Sequence, residues 1–237
     1  MGGERNNLRK KEDCVIVGGG IIAKSMVDIN DTDVTIFASG VSNSSCTDPL
    51  EFRREKDLLL SQDRGRKLVY FSTCSLSDGS EYNEYLRHKL EMEAVVSENF
   101  DEWLVLRLPT VVGHGGNVNN FFNFIASSLR NGDTVYAQDS AYRSLLDCDD
   151  IPSLIEILVR DVCREKINVC LDNSENAFEI VLCMREVLKS ESEIVRLSDK
   201  KNNTIINDRL KQLVPERFNT ANLSEYNERL IKKYLEL

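Results

Sequence analysis

Four stretches of this chain are largely apolar: "CVIV" at 14–17, "VTIFA" at 34–38, "RKLVYFSTCS" at 66–75 and "WLVLRLPTVVG" at 103–113. A strand with one wet face alternates apolar and polar residues, whereas a strand that does not alternate must be covered on both faces. The segments between them have helical spacing. Residues 20–26 open a helix, "PLEFRREKDLLL" fills 49–60, and residues 82–98 set Leu86, Leu90 and Ala94 on one face. Strands covered on both sides and alternating with helices predict an α/β fold on a parallel, doubly wound sheet. The chain has 237 residues, 41% apolar and 29% charged, enough for one large globular domain or one domain with a small lobe.

The charge balance narrows the partners. A net charge of −9 argues against nucleic acid, which needs a basic face, but is compatible with a small anion held by a few Arg or Lys side chains. The seven cysteines form no CxxC pair and only two histidines occur, so no metal site is expected and the thiols read as reduced and mostly buried. No apolar run is long enough to span a bilayer. The polar start, "MGGERNNLRKKED", has no signal core, so a cytoplasmic location without membrane contact is expected.

Gly18, Gly19, Gly20, Ile21, Ile22 and Ala23 fit GxGxxG/A between the first strand and the first helix. Glycines there let backbone N–H groups approach a pyrophosphate, and the helix start favours its charge. That reading sets Gly18, Gly20, Ile21 and Ile22 against a dinucleotide; a tight turn that binds nothing fits the same residues. The acidic residue that holds an adenine ribose about 20 positions on is missing, and Ala38 and Ser39 fall in its place. Only ten residues, 24–33, separate Ala23 from the next strand.

Thr73 falls at the end of the third strand, and Tyr85 and Lys89 form YxxxK on the helix after it, sharing one face. An ammonium beside a phenol favours phenolate and so lowers its pKa, and a hydroxyl at Thr73 can polarise an oxygen bound between them. In a chain with seven tyrosines YxxxK also arises by chance, but the C-terminal edge of such a sheet is where ligands bind. Other residues carry two readings. Arg143 is a solvated charge or a bidentate phosphate ligand. Asn120, before Phe121, is a helix cap or a ligand contact. Cys74 reads as an inert buried thiol, and "DCDD" at 147–150 as charges at a helix start rather than a metal site.

Taken in order, these segments resemble the short-chain dehydrogenase/reductase superfamily, in its extended nucleotide-sugar epimerase, dehydratase and reductase branch. "DVTIFASGVSNSSCTDPLEF" is similar to the family's fourth strand and its DP-containing turn. "DLLLSQDRGRKLVYFSTCS" is similar to the segment ending in the catalytic Ser or Thr, and "YLRHK" to YxxxK. "LRLPTVVGHGG", "NNFF" and "AYRSLLDCDDI" resemble the segments around the substrate, with Thr110 where Asn is common; "INVCLDNSENAFEIV" and the C-terminal helix, expected from near Ser224, resemble the end. The resemblance covers residues 14–237. It implies a shortened Rossmann-like cofactor domain at 13–113 that also receives part of 144–172. A substrate lobe would comprise 114–143 and 173–237, and residues 1–12 a disordered tail.

The function so implied is an NAD- or NADP-dependent oxidoreductase or epimerase acting on a nucleotide-linked sugar, in surface-polysaccharide precursor synthesis, as a homodimer. Thr73, Tyr85 and Lys89 would be catalytic. Gly18, Gly20, Ile21, Ile22, Ala38, Ser39, Tyr85 and Lys89 would meet the cofactor, and Ser75, Asn120, Phe121 and Arg143 the substrate. One departure stands out. If residues 34–38 are the family's fourth strand, the second and third strands, which hold the adenosine half of the cofactor, are absent. The alternative function is therefore a sugar-nucleotide or protein binding module that has lost dinucleotide binding.

Overall fold

The structure, a computed structural model, describes residues 14–26, 33–77, 82–198, 205–218 and 225–236; the tail expected at 1–12 and Ser224 lie outside them. In chain order the first elements are β1 (Val15–Val17), α1 (Ile21–Ser25), β2 (Val34–Phe37), α2 (Pro49–Leu60), β3 (Lys67–Thr73), α3 (Glu84–Asn99), β4 (Trp103–Leu108) and β5 (Thr110–Val112). There follow α4 (Phe121–Asn131), β6 (Val135–Gln138), β7 (Tyr142–Arg143), β8 (Leu145–Asp147), α5 (Ile151–Asp161) and β9 (Glu165–Asn168). The last are β10 (Glu175–Asn176), α6 (Ala177–Leu188), β11 (Ile194–Leu197), α7 (Asp208–Leu213) and α8 (Tyr226–Leu235).

Helix starts follow local chemistry. Asp48 accepts from the Leu50 N–H ahead of Pro49, Asn83 from Leu86 N–H, and Asn120 from Asn123 N–H. Gly132 ends α4 in the left-handed region, at φ 77°.

The central sheet is parallel throughout, in the order β1-β2-β3-β4-β9. Its unbroken apolar strands are covered on both faces. Ile36, Val69, Leu104 and Leu106 pack with Ile151, Leu154 and Leu158 of α5 and with Ile22 and Met26 around α1. On the other face Phe37, Leu68, Tyr70 and Val105 pack with Leu59 of α2 and with Met92, Val95 and Val96 of α3. A separate core joins α4, α6 and α8 through Ile125, Leu129, Ile180, Met184, Leu230 and Ile231.

The expected parallel α/β sheet is present, but its strands follow chain order in one direction from β1, with no return to β1's other edge among the described residues. In a doubly wound sheet, helices after the first two strands share a face, and the chain later resumes beside the first strand. Here α1 packs on the α5 face and α2 on the opposite one. Steps in one direction with helices on opposite faces have opposite hands, so the β1–α1–β2 step differs from the two after it. Both features fit β2 in the place of a fourth strand. The face switch also matters for ligands: the chain leaves β1 toward one face and β2 toward the other, which opens a crevice above their C-terminal ends.

Two further expectations are corrected. The strand at 103–113 is two: Pro109 has no N–H to donate to the sheet, and Thr110–Val112 pairs with β8 instead. The buried face of α3 keeps Leu86 from the Leu86, Leu90, Ala94 stripe but is turned away from the rest of it. Leu90 is exposed, while Tyr85, His88, Lys89, Met92 and Glu93 turn inward, because partners across the interface satisfy the charged ones.

Gly18 sits where β1 meets β2. Its φ is 138°, and an added Cβ would lie 2.3 Å from the Ala38 carbonyl oxygen, just past the hydrogen bond from Ala38 N–H to Val17 O. Gly18→Ala is expected to lower unfolding free energy by about 1–3 kcal/mol in urea titration, through backbone strain at this one residue.

Candidate active-site cleft

A cleft of about 610 Å³ opens over the C-terminal ends of β1, β2 and β3. It gathers most of the residues singled out from sequence: Gly20, Ile21, Ile22, Ala38 and Ser39, then Thr73, Ser75, Tyr85 and Lys89, and also Asn120, Phe121 and Arg143. Gly18 is not in its wall; it acts behind, letting β1 and β2 approach. Among the described residues the wall contains no Asp or Glu. Its charged groups are Arg54, Lys89 and Arg143, all cationic, in a chain of net charge −9.

Thr73 ends β3, and its Oγ1 accepts from Ser75 N–H at the following single turn of 3-10 helix. Its hydroxyl is hydrogen-bonded to the Tyr85 phenol. The Asn83 cap starts α3 one residue before Glu84 and so puts Tyr85 and Lys89 on the inward face, both buried. Cys74 Sγ donates to the Arg107 carbonyl and is buried.

Lys89 is not available in the way its spacing suggests. Its ammonium donates at 3.0 Å to Glu55 and at 3.0 Å to the Tyr70 hydroxyl, and lies 5.9 Å from the Tyr85 ring centre. Glu55, on α2, is 0% exposed. Its carboxylate accepts from Val41 N–H at 2.6 Å, from the Tyr70 hydroxyl at 2.6 Å, from His88 Nε2 at 2.9 Å and from Lys89. His88 is in turn stacked on Phe52, ring centres 4.4 Å apart. Burial alone would raise the Glu55 carboxyl, but Lys89 and the bonds from His88, Tyr70 and Val41 hold it down to about 2.

The phenol that YxxxK was expected to acidify is therefore shifted the other way. Burial and the Glu55 charge raise the Tyr85 pKa, and only the Thr73 bond opposes them. Burial of the phenol is the larger cause, and an ammonium compensated at 3.0 Å has little field left to oppose it at a ring twice as far away.

The Arg143 guanidinium sits over the Phe121 ring at 4.7 Å. Asn120 lines the cleft while its Oδ1 caps α4, so the cap reading holds for that oxygen. Arg54 donates to the Ser39 carbonyl at 3.2 Å and to its hydroxyl at 3.3 Å, and pairs with Glu51. Asp147, Cys148 and Asp149 cluster elsewhere, with Lys233 donating to both carboxylates and Tyr234 to Asp147.

Sequence reasoning missed Arg54, Glu55, Tyr70 and His88. One signal was present: Phe52, Glu55 and Leu59 share a helical stripe, and a carboxylate on an apolar stripe needs buried partners.

No family model matches the chain, and no curated protein sequence does. Solved structures match in fold. A UDP-N-acetylglucosamine 4-epimerase from Methanobrevibacter ruminantium, in complex with UDP-N-acetylmuramic acid, is 15% identical with a TM-score of 0.70, covering 94% of this chain and 97% of its own. A dTDP-4-dehydrorhamnose reductase from Bacillus anthracis, in complex with NADP, is 16% identical at TM-score 0.67, covering 94% and 98%. A dTDP-glucose 4,6-dehydratase from the same organism, in complex with NAD, is 14% identical at 0.63, covering 91% and 78%. The chain has the Rossmann-like fold of these proteins.

The buried carboxylate has a measurable signature. Glu55 has a folded pKa near 2 against an ordinary 4.5, so its stabilising contribution is complete above about 4.5 and is lost as pH falls toward 2. The stability gap in urea between wild type and Glu55→Gln is expected to narrow over that window. A gap independent of pH would contradict the assignment.

Proposed function

We propose that this chain is an NAD- or NADP-dependent oxidoreductase or epimerase of the short-chain dehydrogenase/reductase kind, acting on a nucleotide-linked sugar. The observation that carries the reading is the cleft itself. It joins a glycine turn to Thr73, Tyr85 and Lys89, and its charged lining is wholly cationic. Fold neighbours in complex with NAD, NADP and a UDP-sugar support it.

The residues fit a dinucleotide. A Cβ at Gly19 or Gly20 would meet nothing within 4 Å, so their backbone faces open space at the start of α1, as a pyrophosphate requires. Gly20, Ile21, Ile22, Ala38 and Ser39 would hold the cofactor, which when bound supplies hydride exchange. Tyr85 holds the proton to be exchanged with the sugar oxygen, and Thr73 orients that oxygen. Arg143, steadied over Phe121, and Asn120 bind the diphosphate. Ser75 lies beside Thr73 at the sugar. On this reading the protein works in the cytoplasm as a homodimer, in surface-polysaccharide precursor synthesis. Among the described residues no helix is long and apolar enough to cross a membrane.

A second reading is a binding module without dinucleotide affinity. The observation behind it is that among the described residues β1 ends the sheet, where further strands would carry adenosine contacts. Calorimetry with NADH and NADPH separates the two. Measurable heat at millimolar cofactor favours the enzyme; silence with both favours the module.

Tyr85→Phe is expected to lower kcat by about 10²–10⁴ with little change in KM, measured by nicotinamide absorbance on an accepted sugar nucleotide. Arg143→Ala should weaken sugar-nucleotide binding by roughly 10–100-fold in calorimetry, the worth of a charge-assisted bond, and leave cofactor binding alone.

A further inference from the structure

Four elements converge on one carboxylate beside the cleft. Glu55 receives the loop after β2 through Val41 N–H, β3 through the Tyr70 hydroxyl, and α3 through both His88 and Lys89, while itself belonging to α2. It is 0% exposed, and Lys89 is 3% exposed. Gly40 closes over the pair so tightly that a Cβ there would lie 2.8 Å from Lys89 Nζ and 3.0 Å from Glu55 Oε1. A buried carboxylate this far inside survives only because it is fully bonded.

We propose that Glu55 is a positioning residue of the site: it holds Lys89 and cancels its charge, so that Tyr85 enters the reaction as a proton donor. This rests on the oxidoreductase reading and deepens it. The charged or titratable groups that face Tyr85 are Lys89 on its own helix, Glu55 on α2 and Tyr70 on β3. Behind them stand His88, bonded to Glu55, and Glu93, paired with Arg107. None leaves an uncompensated positive charge at the phenol, which therefore stays protonated at neutral pH.

A proton donor suits carbonyl reduction better than abstraction of a hydroxyl proton. In that direction the carbonyl carbon of a keto-sugar gains a hydride from a reduced nicotinamide, which is oxidised. The carbonyl oxygen takes the Tyr85 proton to become a hydroxyl, and water returns a proton to the phenolate.

The test begins with the ligand-free protein, so it judges Glu55 even if no sugar nucleotide is turned over. Tyrosine labelled with carbon-13 at Cζ reports phenol ionisation, and Tyr85→Phe identifies the signal. In wild type, Tyr85 is expected to titrate above the ordinary tyrosine range, because it is buried and faces the Glu55 charge. In Glu55→Gln its titration should move down by about one to two units, as an uncompensated ammonium about 6 Å away implies. In Glu55→Gln/Lys89→Met, which removes both charges, it should move back up. Titration of Tyr85 at or below about pH 10, the ordinary tyrosine value, in wild type, or no shift in Glu55→Gln, overturns the proposal; the wild-type measurement still overturns it if that variant does not fold. With substrates at about pH 7, kcat for keto-sugar reduction should exceed kcat for hydroxy-sugar oxidation, and the reverse preference overturns the donor assignment.

Discussion

The carboxylate of Glu55 is the point at which α2, β3, α3 and the loop after β2 are tied together beside the cleft. Without it, α2, β3 and α3 would touch through Leu59, Tyr70 and Met92, but Tyr70, His88 and Lys89 would lose the buried acceptor they share. A carboxylate with two oxygens accepts all of them, together with the Val41 N–H that sets the loop leaving β2. The same contacts decide which way α3 is turned, and hence that the Tyr85 phenol reaches the Thr73 hydroxyl. Structure and site chemistry are therefore not separable here.

The other constraint is topological. A ligand crevice forms above a parallel sheet where adjacent strands send their connections to opposite faces. In a doubly wound sheet that happens because strand order reverses. In this chain it happens without reversal, because α1 covers the α5 face and α2 the other. Gly19 and Gly20 and the segment Ala38–Gly40 consequently part above β1 and β2 and line the same space. A sheet can lose strands at its edge and keep its crevice, provided the face switch remains.

Much of this architecture was legible because apolar runs have few ways to be satisfied. Segments such as "KLVYF" and "WLVLRL" must be covered on two sides, which requires helices on both and so a parallel sheet. The helix start at Asn120 was readable for an equally local reason, a side-chain oxygen meeting an unpaired N–H, whereas the helix expected from residue 82 starts after the Asn83 cap. The gathering of Thr73, Tyr85, Asn120 and Arg143 in one cleft follows from their lying at strand ends and the loops beyond.

What spacing could not convey was the field at Tyr85. YxxxK put Lys89 one turn from the phenol, and with only those two residues in view the ammonium would acidify it. The partner that reverses this comes from another helix, 34 residues earlier in sequence, and its effect depends on a separation of 3.0 Å in a place water does not reach. The inward turn of α3 and the break at Pro109 were hidden for the same reason: each depends on which neighbour accepts a group the local pattern leaves open. By itself the sequence determined the parallel sheet and the glycine turn, and it pointed to Thr73, Tyr85, Asn120 and Arg143, because burial and hydrogen bonding act along the chain. Only the tertiary structure decided the charge state at the centre of the site, because electrostatic balance is set by distance and burial between elements that the chain order keeps apart.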